Sequence, residues 1–245
     1  MAMNALFNWS GGKDSSLALF QILREKDYAV KYLLTSVNKQ FQRVSMHGVR
    51  IELLKQQAKS LDLPLYILEV PEMPTMEAYN EAMKAALMKF KQEDIHYSIF
   101  GDIFLEDLKE YREGQLAKVG MTGVFPIWKR PTRELVTEFI DQGFKAVTVC
   151  VHEKFLDRSF VGRDIDGQFI RDLPQNVDPC GENGEFHSFV YDGPIFQQPV
   201  KIKIGEVVHK KYERPRQTVK KDDCYASHDH GVYDDGFWYC DLLPE

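Results

Sequence analysis

No two of the four cysteines, Cys150, Cys180, Cys224 and Cys240, stand in a Cys-x-x-Cys pair. That removes the strongest sequence signal for structural zinc or dithiol redox chemistry, and the thiols are expected to be reduced. Long apolar runs are missing too: none approaches the ~20 residues that span a bilayer. Met1-Ala2-Met3-Asn4 has neither the basic stretch nor the apolar stretch of a secretory signal, which predicts a cytoplasmic protein without a membrane partner. Positive charge is not in excess. Lys and Arg number 31 against 37 Asp and Glu, a net charge of -6, which argues against a protein that coats nucleic acid. Internal repeats and low-complexity segments are absent. What is present is ordinary: 44% hydrophobic and 28% charged residues over 245 positions describe a soluble globular chain, one large domain or two modest ones.

Hydrophobic periodicity divides the chain in two. Asn4 to Trp9 reads as a strand that ends in a Ser-Gly-Gly turn, followed by a helix carrying Leu17, Leu19, Phe20, Ile22 and Leu23. Val30 to Val37 is a second strand. A helix with Ile51, Leu54, Ala58 and Leu61 on one face follows and is stopped by Pro64. Leu65 to Val70, Tyr97 to Gly101 and Val124 to Trp128 are predicted strands, separated by helices at Met76 to Glu93 and Leu105 to Val119. The first of these helices shows Tyr79, Met83, Ala86, Leu87 and Phe90 on one face. Alternating strands and helices imply a parallel three-layer α/β sheet, because parallel neighbours need a crossover. After Pro131 the pattern changes to a helix at Glu134 to Gln142, a strand at Ala146 to Val151, a Gly/Asp/Pro-rich stretch, a strand piece at Val200 to Ile204, and a hairpin-turn signal at Asp235-Gly236 between Val232-Tyr233 and Phe237-Trp238-Tyr239. The expected division is residues 1–128 and an α+β domain at 129–245, with Lys210 to Asp223 as a polar loop.

The turn between the first strand and first helix carries the chemistry. A phosphate chain needs backbone amides turned toward it, small residues that permit close approach, and the positive end of a helix. Gly11 and Gly12 meet the first two needs and the helix starting near Asp14 meets the third; Ser10, Ser15 and Ser16 add hydroxyls and Lys13 a cation. Read blandly, the same residues are a Ser/Gly helix cap. Their order and their place at the first strand–helix junction of a parallel sheet, where ligands collect, favour phosphate binding.

Ser10-Gly11-Gly12-Lys13-Asp14-Ser15 resembles the Ser-Gly-Gly-x-Asp-Ser signature of the PP-loop (N-type) ATP pyrophosphatases, which grip the pyrophosphate of ATP and leave its α-phosphorus open to attack. Three further segments are similar to the diphthine–ammonia ligase family: Ser45-Met46-His47-Gly48; Gly101-Asp102-Ile103 with Glu106; and Asp178-Pro179-Cys180-Gly181-Glu182-Asn183-Gly184-Glu185-Phe186-His187 with Asp192-Gly193-Pro194. The likeness runs from Ala5 to about Phe196. It implies a Rossmann-like, HUP-type α/β domain that binds ATP and Mg²⁺, joined to a smaller α+β domain. The activity it implies is ATP-dependent adenylation of a carboxylate, followed by attack of ammonia to give an amide, AMP and pyrophosphate. The family's namesake acceptor is the modified histidine of translation elongation factor 2.

On that basis Ser10 to Ser16, His47 and Gly101 are candidate ATP-binding residues, and Lys13, Asp14, Asp102, Glu182 and Glu185 are candidate catalytic groups. Asp102 is a candidate Mg²⁺ ligand, although it and Glu106 also read as a helix cap and first-turn carboxylate. Asn183 and His187 are candidate acceptor-binding residues, and Glu182 or Glu185 is the candidate for orienting or deprotonating ammonium. Zinc sets from Cys180, Glu182 and His187, or from Cys224, His228 and His230, lack a recognised spacing. Cys150 reads as core, and Arg112, Lys129, Arg130 and Arg133 read either as a basic rim or as ordinary surface. No glutaminase-type cysteine precedes the loop, so the expected nitrogen source is free ammonia or another protein. The acceptor is a carboxylate on a protein or a small molecule, and a homo-oligomer is compatible with the sequence. Adenylation of an RNA base or small metabolite, and ATP or AMP binding without turnover, are the competing readings.

Overall fold

The computed structural model describes residues 2–41, 43–44, 48–71, 75–211 and 236–245. Its first sheet has five parallel strands, β1 (Met3–Asn8), β2 (Tyr28–Asn38), β4 (Leu65–Val70), β5 (Tyr97–Ile99) and β6 (Thr122–Val124), in the order β4-β2-β1-β5-β6. A two-residue strand β3 (Arg43–Val44) pairs antiparallel with the end of β2. The crossovers are helices α1 (Lys13–Glu25), α2 (Ile51–Ser60), α3 (Met76–Gln92) and α4 (Glu106–Ala117). This is the Rossmann-like, HUP-type arrangement. The direction of winding reverses between β1 and β5, which opens a crevice at the carboxyl ends of those strands.

Each crossover helix forms because one of its faces can be buried. In α2, Ile51, Leu54 and Ala58 recur at helical spacing and are buried. In α3, Thr75 accepts a hydrogen bond from the Ala78 amide (3.1 Å) as N-cap. Its apolar face is fully buried only at Ala86, Leu87 and Phe90. Tyr79 and Met83 continue the same face but are half-buried, because there it borders a cleft rather than the core.

The second sheet is antiparallel, in the order β8-β7-β10-β9, from β7 (Lys145–His152), β8 (Phe186–Asp192), β9 (Ile202–Lys211) and β10 (Gly236–Pro244). Helix α5 (Thr132–Asp141) precedes it, and a short helix α6 (Gly167–Asp172) lies between β7 and β8. Residues on both sides of position 128 share one core, which runs from Phe7, Leu19 and Leu53 to Phe139, Val147 and Phe189. Burying one such side chain contributes about 1.5–3 kcal/mol.

Some expectations need correction. The fifth parallel strand ends at Val124 rather than Trp128, since Pro126 has no amide for the ladder and the chain turns there, Trp128 donating to Phe125 (3.2 Å). Gly236 is not a hairpin turn. It is the first residue of β10, facing Lys211 of β9, while Val232, Tyr233 and Asp235 lie outside the described residues. The Gly/Asp/Pro-rich stretch also contains a strand, β8, that its residue pattern does not predict. Cys150 is buried in β7, and burial pushes its thiol up to about 12. Among the described residues no helix is long and apolar enough to cross a membrane.

Candidate active site

The glycine loop is built by its own polar groups and then fastened from outside. The Gly12 amide donates to Ser10 Oγ (3.2 Å), and Gly12 O accepts from the hydroxyls of Ser15 and Ser16 (2.9 Å each). Gly11 has φ +79°, and a Cβ there would lie 2.7 Å from Gln57 Oε1. Strand β8 runs against this turn. The Val190 amide donates to Gly11 O (2.9 Å), and the Lys13 amide donates to Ser188 Oγ (3.1 Å), so a residue of the second sheet caps the first helix. Gln57, buried in α2, closes the junction: its Nε2 donates to Gly11 O (3.0 Å) and Val190 O (2.6 Å), and its Oε1 accepts from Trp9 Nε1 (2.9 Å).

Lys13 is 4% exposed and bridges the two halves of the site, donating to both carboxylate oxygens of Asp14 (2.9 and 2.8 Å) and to the carbonyl of Cys180. Burial works against its charge, but Asp14 and the other acidic groups around it outweigh burial and hold its pKa above the usual lysine value. Asp14 is pushed up by burial and by Asp178, against the pull of Lys13. Gly101 closes the opposite wall. A Cβ there would stand 2.9 Å from the Ser15 amide nitrogen and 3.0 Å from Asp14 C, so only glycine lets this loop approach the first turn of α1.

Asp102 follows immediately. Burial raises its pKa, Arg112 pulls it down and Asp14 pushes it up. Arg112 Nε lies 2.9 Å from Asp102 Oδ2, an ion pair by distance. The N–H is nevertheless misdirected, and both buried atoms lack a hydrogen-bond partner among the described residues. Glu182 Oε1 accepts from the Ile103 amide (2.9 Å), and burial together with Asp14 raises this carboxyl to about 7, despite that bond and Lys13.

The Cys180–His187 string is organised by two carboxylates that face inward. Asp178 accepts from the amides of Cys180 (2.9 Å) and Glu182 (3.3 Å) and from Thr132 Oγ1 (2.6 Å). Glu185 is 1% exposed and accepts from the Asp178 amide (3.0 Å) and from the Asn183 amide and side chain (2.9 and 3.1 Å).

A cleft of about 550 Å³ gathers Ser10, Gly12, Lys13, Asp14, Ser15, Gly101, Asp102, Glu182 and His187, a size typical of small-molecule sites. Its other arm, between α3 and α4, is apolar, with Leu34, Val70, Met83, Leu87 and Leu116. Gly11, Ser16 and Glu185 are buried behind this wall, and Asn183 is exposed and turned to Glu185 rather than lining the cleft. Glu106 is outside it and pairs with Lys129 (2.6 Å). His47, Cys224, His228 and His230 lie outside the described residues. The set Cys180, Glu182 and His187 does not converge: among the described residues no three or more His, Cys, Asp or Glu side chains are placed to hold a metal ion, and Cys180 Sγ donates to Thr132 O (3.3 Å). Asp102 Oδ2, buried in this cleft without a hydrogen-bond partner among the described residues, is a carboxylate oxygen of the kind Mg²⁺ takes when it arrives with phosphate, whereas both oxygens of Asp14 accept from Lys13.

The sequence does not single out Ser188 or Gln57, gives Asp178 only as the first residue of the family string without a role, and leaves Arg112 as rim or surface. Gln57 had a signal, a polar residue within the apolar stripe of α2. Ser188 had none, because its role depends on the register of a strand that the residue pattern does not predict.

The family described as diphthamide synthase N-terminal domain matches residues 3–122, and the diphthamide synthase C-terminal domain matches residues 131–221. The diphthine–ammonia ligase of Danio rerio is 25% identical over 247 residues, covering 89% of each chain. That of Homo sapiens is 24% identical over 225 residues, covering 81% of this chain and 82% of the relative. Among solved structures, the U34-tRNA thiolase NcsA from Methanococcus maripaludis with its 4Fe-4S cluster overlaps at a TM-score of 0.37 and 14% identity over 57% of each chain, a likeness too loose to bear on the fold. With both halves of one family matched in order, and relatives matched along most of their length, the chain belongs to the diphthine–ammonia ligase family of ATP-utilising enzymes.

Proposed function

We propose that the protein is an amide-forming ligase that activates a carboxylate acceptor with MgATP and transfers the acyl group to ammonia. The observation that carries this reading is the meeting, in one cleft, of the Ser10–Ser15 loop with Glu182 and the surrounding 180–188 segment. The apolar arm between α3 and α4 takes the adenine base. The loop amides, the amino end of α1 and Lys13 receive the β- and γ-phosphates, so their fixed dipoles and charge stabilise the departing pyrophosphate. Asp102, with Asp14, would hold Mg²⁺, which would supply further neutralisation of that charge.

A carboxylate oxygen of the acceptor attacks the α-phosphorus and pyrophosphate leaves. Glu182 then takes a proton from ammonium, the ammonia nitrogen attacks the acyl carbon, the adduct releases a second proton to solvent, and AMP departs with the electron pair of the broken acyl–oxygen bond. A carboxyl titrating near 7 is suited to this transfer at neutral pH. Glu185 and Asp178 serve as positioning residues: their oxygens are committed to the backbone that carries Glu182. Diphthine, named in the relatives, is the acceptor to test first.

Incubation with α-labelled ATP, Mg²⁺, ammonium and diphthine-bearing elongation factor 2 tests the reading. AMP and pyrophosphate should form only with the acceptor present, and amide only with ammonium. Tight ATP binding without AMP would make the chain a nucleotide-binding protein instead.

A further inference from the structure

The cleft holds a guanidinium, that of Arg112, with no part in the proposed reaction. Arg112 comes from α4 and lines the cleft beside Asp102. Its guanidinium carbon sits 4.4 Å from the centroid of the Phe100 ring, a stacking that fixes the plane of the fork. Its Nε is buried 2.9 Å from Asp102 Oδ2 without hydrogen-bond geometry, and both atoms are unsatisfied among the described residues. Buried charged groups left in that condition are unfavourable, and such atoms in a cleft are accounted for when a ligand completes them.

Three lysines also line the cleft: Lys13 already has a part in the proposed reaction, and Lys84 and Lys118 carry a point charge rather than a planar fork. Lys13 donates to Asp14 and the Cys180 carbonyl, and Lys118 donates to Gln115 (3.1 Å). Meanwhile three carboxyls, Asp14, Asp102 and Glu182, share the cleft that the reaction requires to admit a triphosphate and a carboxylate.

We propose that Arg112 is an oxyanion-binding residue of this site, leaving its misaligned contact with Asp102 to form charge-assisted hydrogen bonds with either a phosphate oxygen of the nucleotide or the carboxylate of the acceptor. A planar fork suits both groups, because each presents two oxygens at matching spacing. The inference rests on the proposed function for the identity of the two ligands, but it concerns binding rather than turnover.

Arg112→Met and Arg112→Lys test it with two equilibrium titrations: MgATP, and diphthine-bearing elongation factor 2 added to protein saturated with the non-hydrolysable α,β-methylene analogue of ATP. Arg112→Met should weaken one of the two at least tenfold, and Arg112→Lys, which keeps the charge but loses the fork, should restore only part. Loss in the first titration assigns a phosphate oxygen, and loss in the second assigns the acceptor carboxylate. Wild-type affinity, within twofold, in both titrations overturns the proposal, as does a wild-type protein that binds neither probe. If Arg112→Met fails to fold, Arg112→Lys is read by the same criterion with a threefold threshold. A wild-type protein that binds both probes yet makes no AMP strikes the ligase reading and leaves this one standing.

Discussion

Replacing Glu182 by Gln removes one ionisation while keeping an oxygen to accept the Ile103 amide, so charge and hydrogen bond are tested separately. Burial and Asp14 raise this carboxyl from 4.5 to about 7, which makes its ionisation up to about 3 kcal/mol harder in the folded chain than in the unfolded one. Because the side chain is part-exposed, solvent screening reduces the expected share to about 1–2 kcal/mol. The folded pKa lies above the unfolded one, so the associated stability is fully present below pH 4.5 and is lost as the pH rises through about 7. Glu182→Gln should therefore match the wild type in urea unfolding at pH 4.5 and exceed it at pH 8, with a melting point there higher by about 2–8 °C. AMP formation should fall by roughly 10²–10⁴, the range for a lost general base, while wild-type turnover rises through about pH 7. A variant less stable than the wild type at pH 8, or one whose turnover stays within fivefold, would refute the placement of a strained, working carboxyl at this position.

Gly101→Ala puts a Cβ 2.9–3.0 Å from the backbone of Ser15 and Asp14; it should lower stability by about 1–3 kcal/mol and weaken MgATP binding, read by urea unfolding and calorimetry. Lys13→Met leaves half-buried Asp14 without its cation and should destabilise by about 1–3 kcal/mol; the double change Lys13→Met, Asp14→Leu should recover much of that stability yet make no AMP, an outcome that separates the pair's chemistry from its packing. Ser188→Ala removes the acceptor of the Lys13 amide and should cost about 1 kcal/mol, with KM for ATP raised more than kcat is lowered in steady-state assays.

The parallel half of the fold is legible in the sequence because its strands are short, largely apolar runs alternating with helices that keep a regular apolar face. The antiparallel half is less so. Phe186–Asp192 follows a glycine-rich string and alternates poorly, because Ser188, Phe189 and Val190 are buried in succession against the loop on one side and the core on the other. Where chemistry is local, the sequence singles out Ser10–Ser16 and Asp102, and the structure brings Ser10, Gly12, Lys13, Asp14, Ser15 and Asp102 to one cleft while Gly11 and Ser16 stay behind its wall. The site was misread where long-range packing decides: Glu185, a candidate base by residue type, has its oxygens on backbone and amide groups, and Arg112, taken as rim or surface, is aimed into the cleft by the ring of Phe100.

The fastening of the loop by β8 has a consequence for the order of events during synthesis. Residues 10–16 leave the ribosome before their partners: Ser188, which caps Lys13, follows 175 positions later, and Val190, which holds Gly11, follows that. A nascent chain stopped after β6 has its parallel strands and its signature residues but not the partners that shape them. Nucleotide capture should thus begin only when β8 is free to fold back, which makes a competent ATP site a report that β8 has been synthesised.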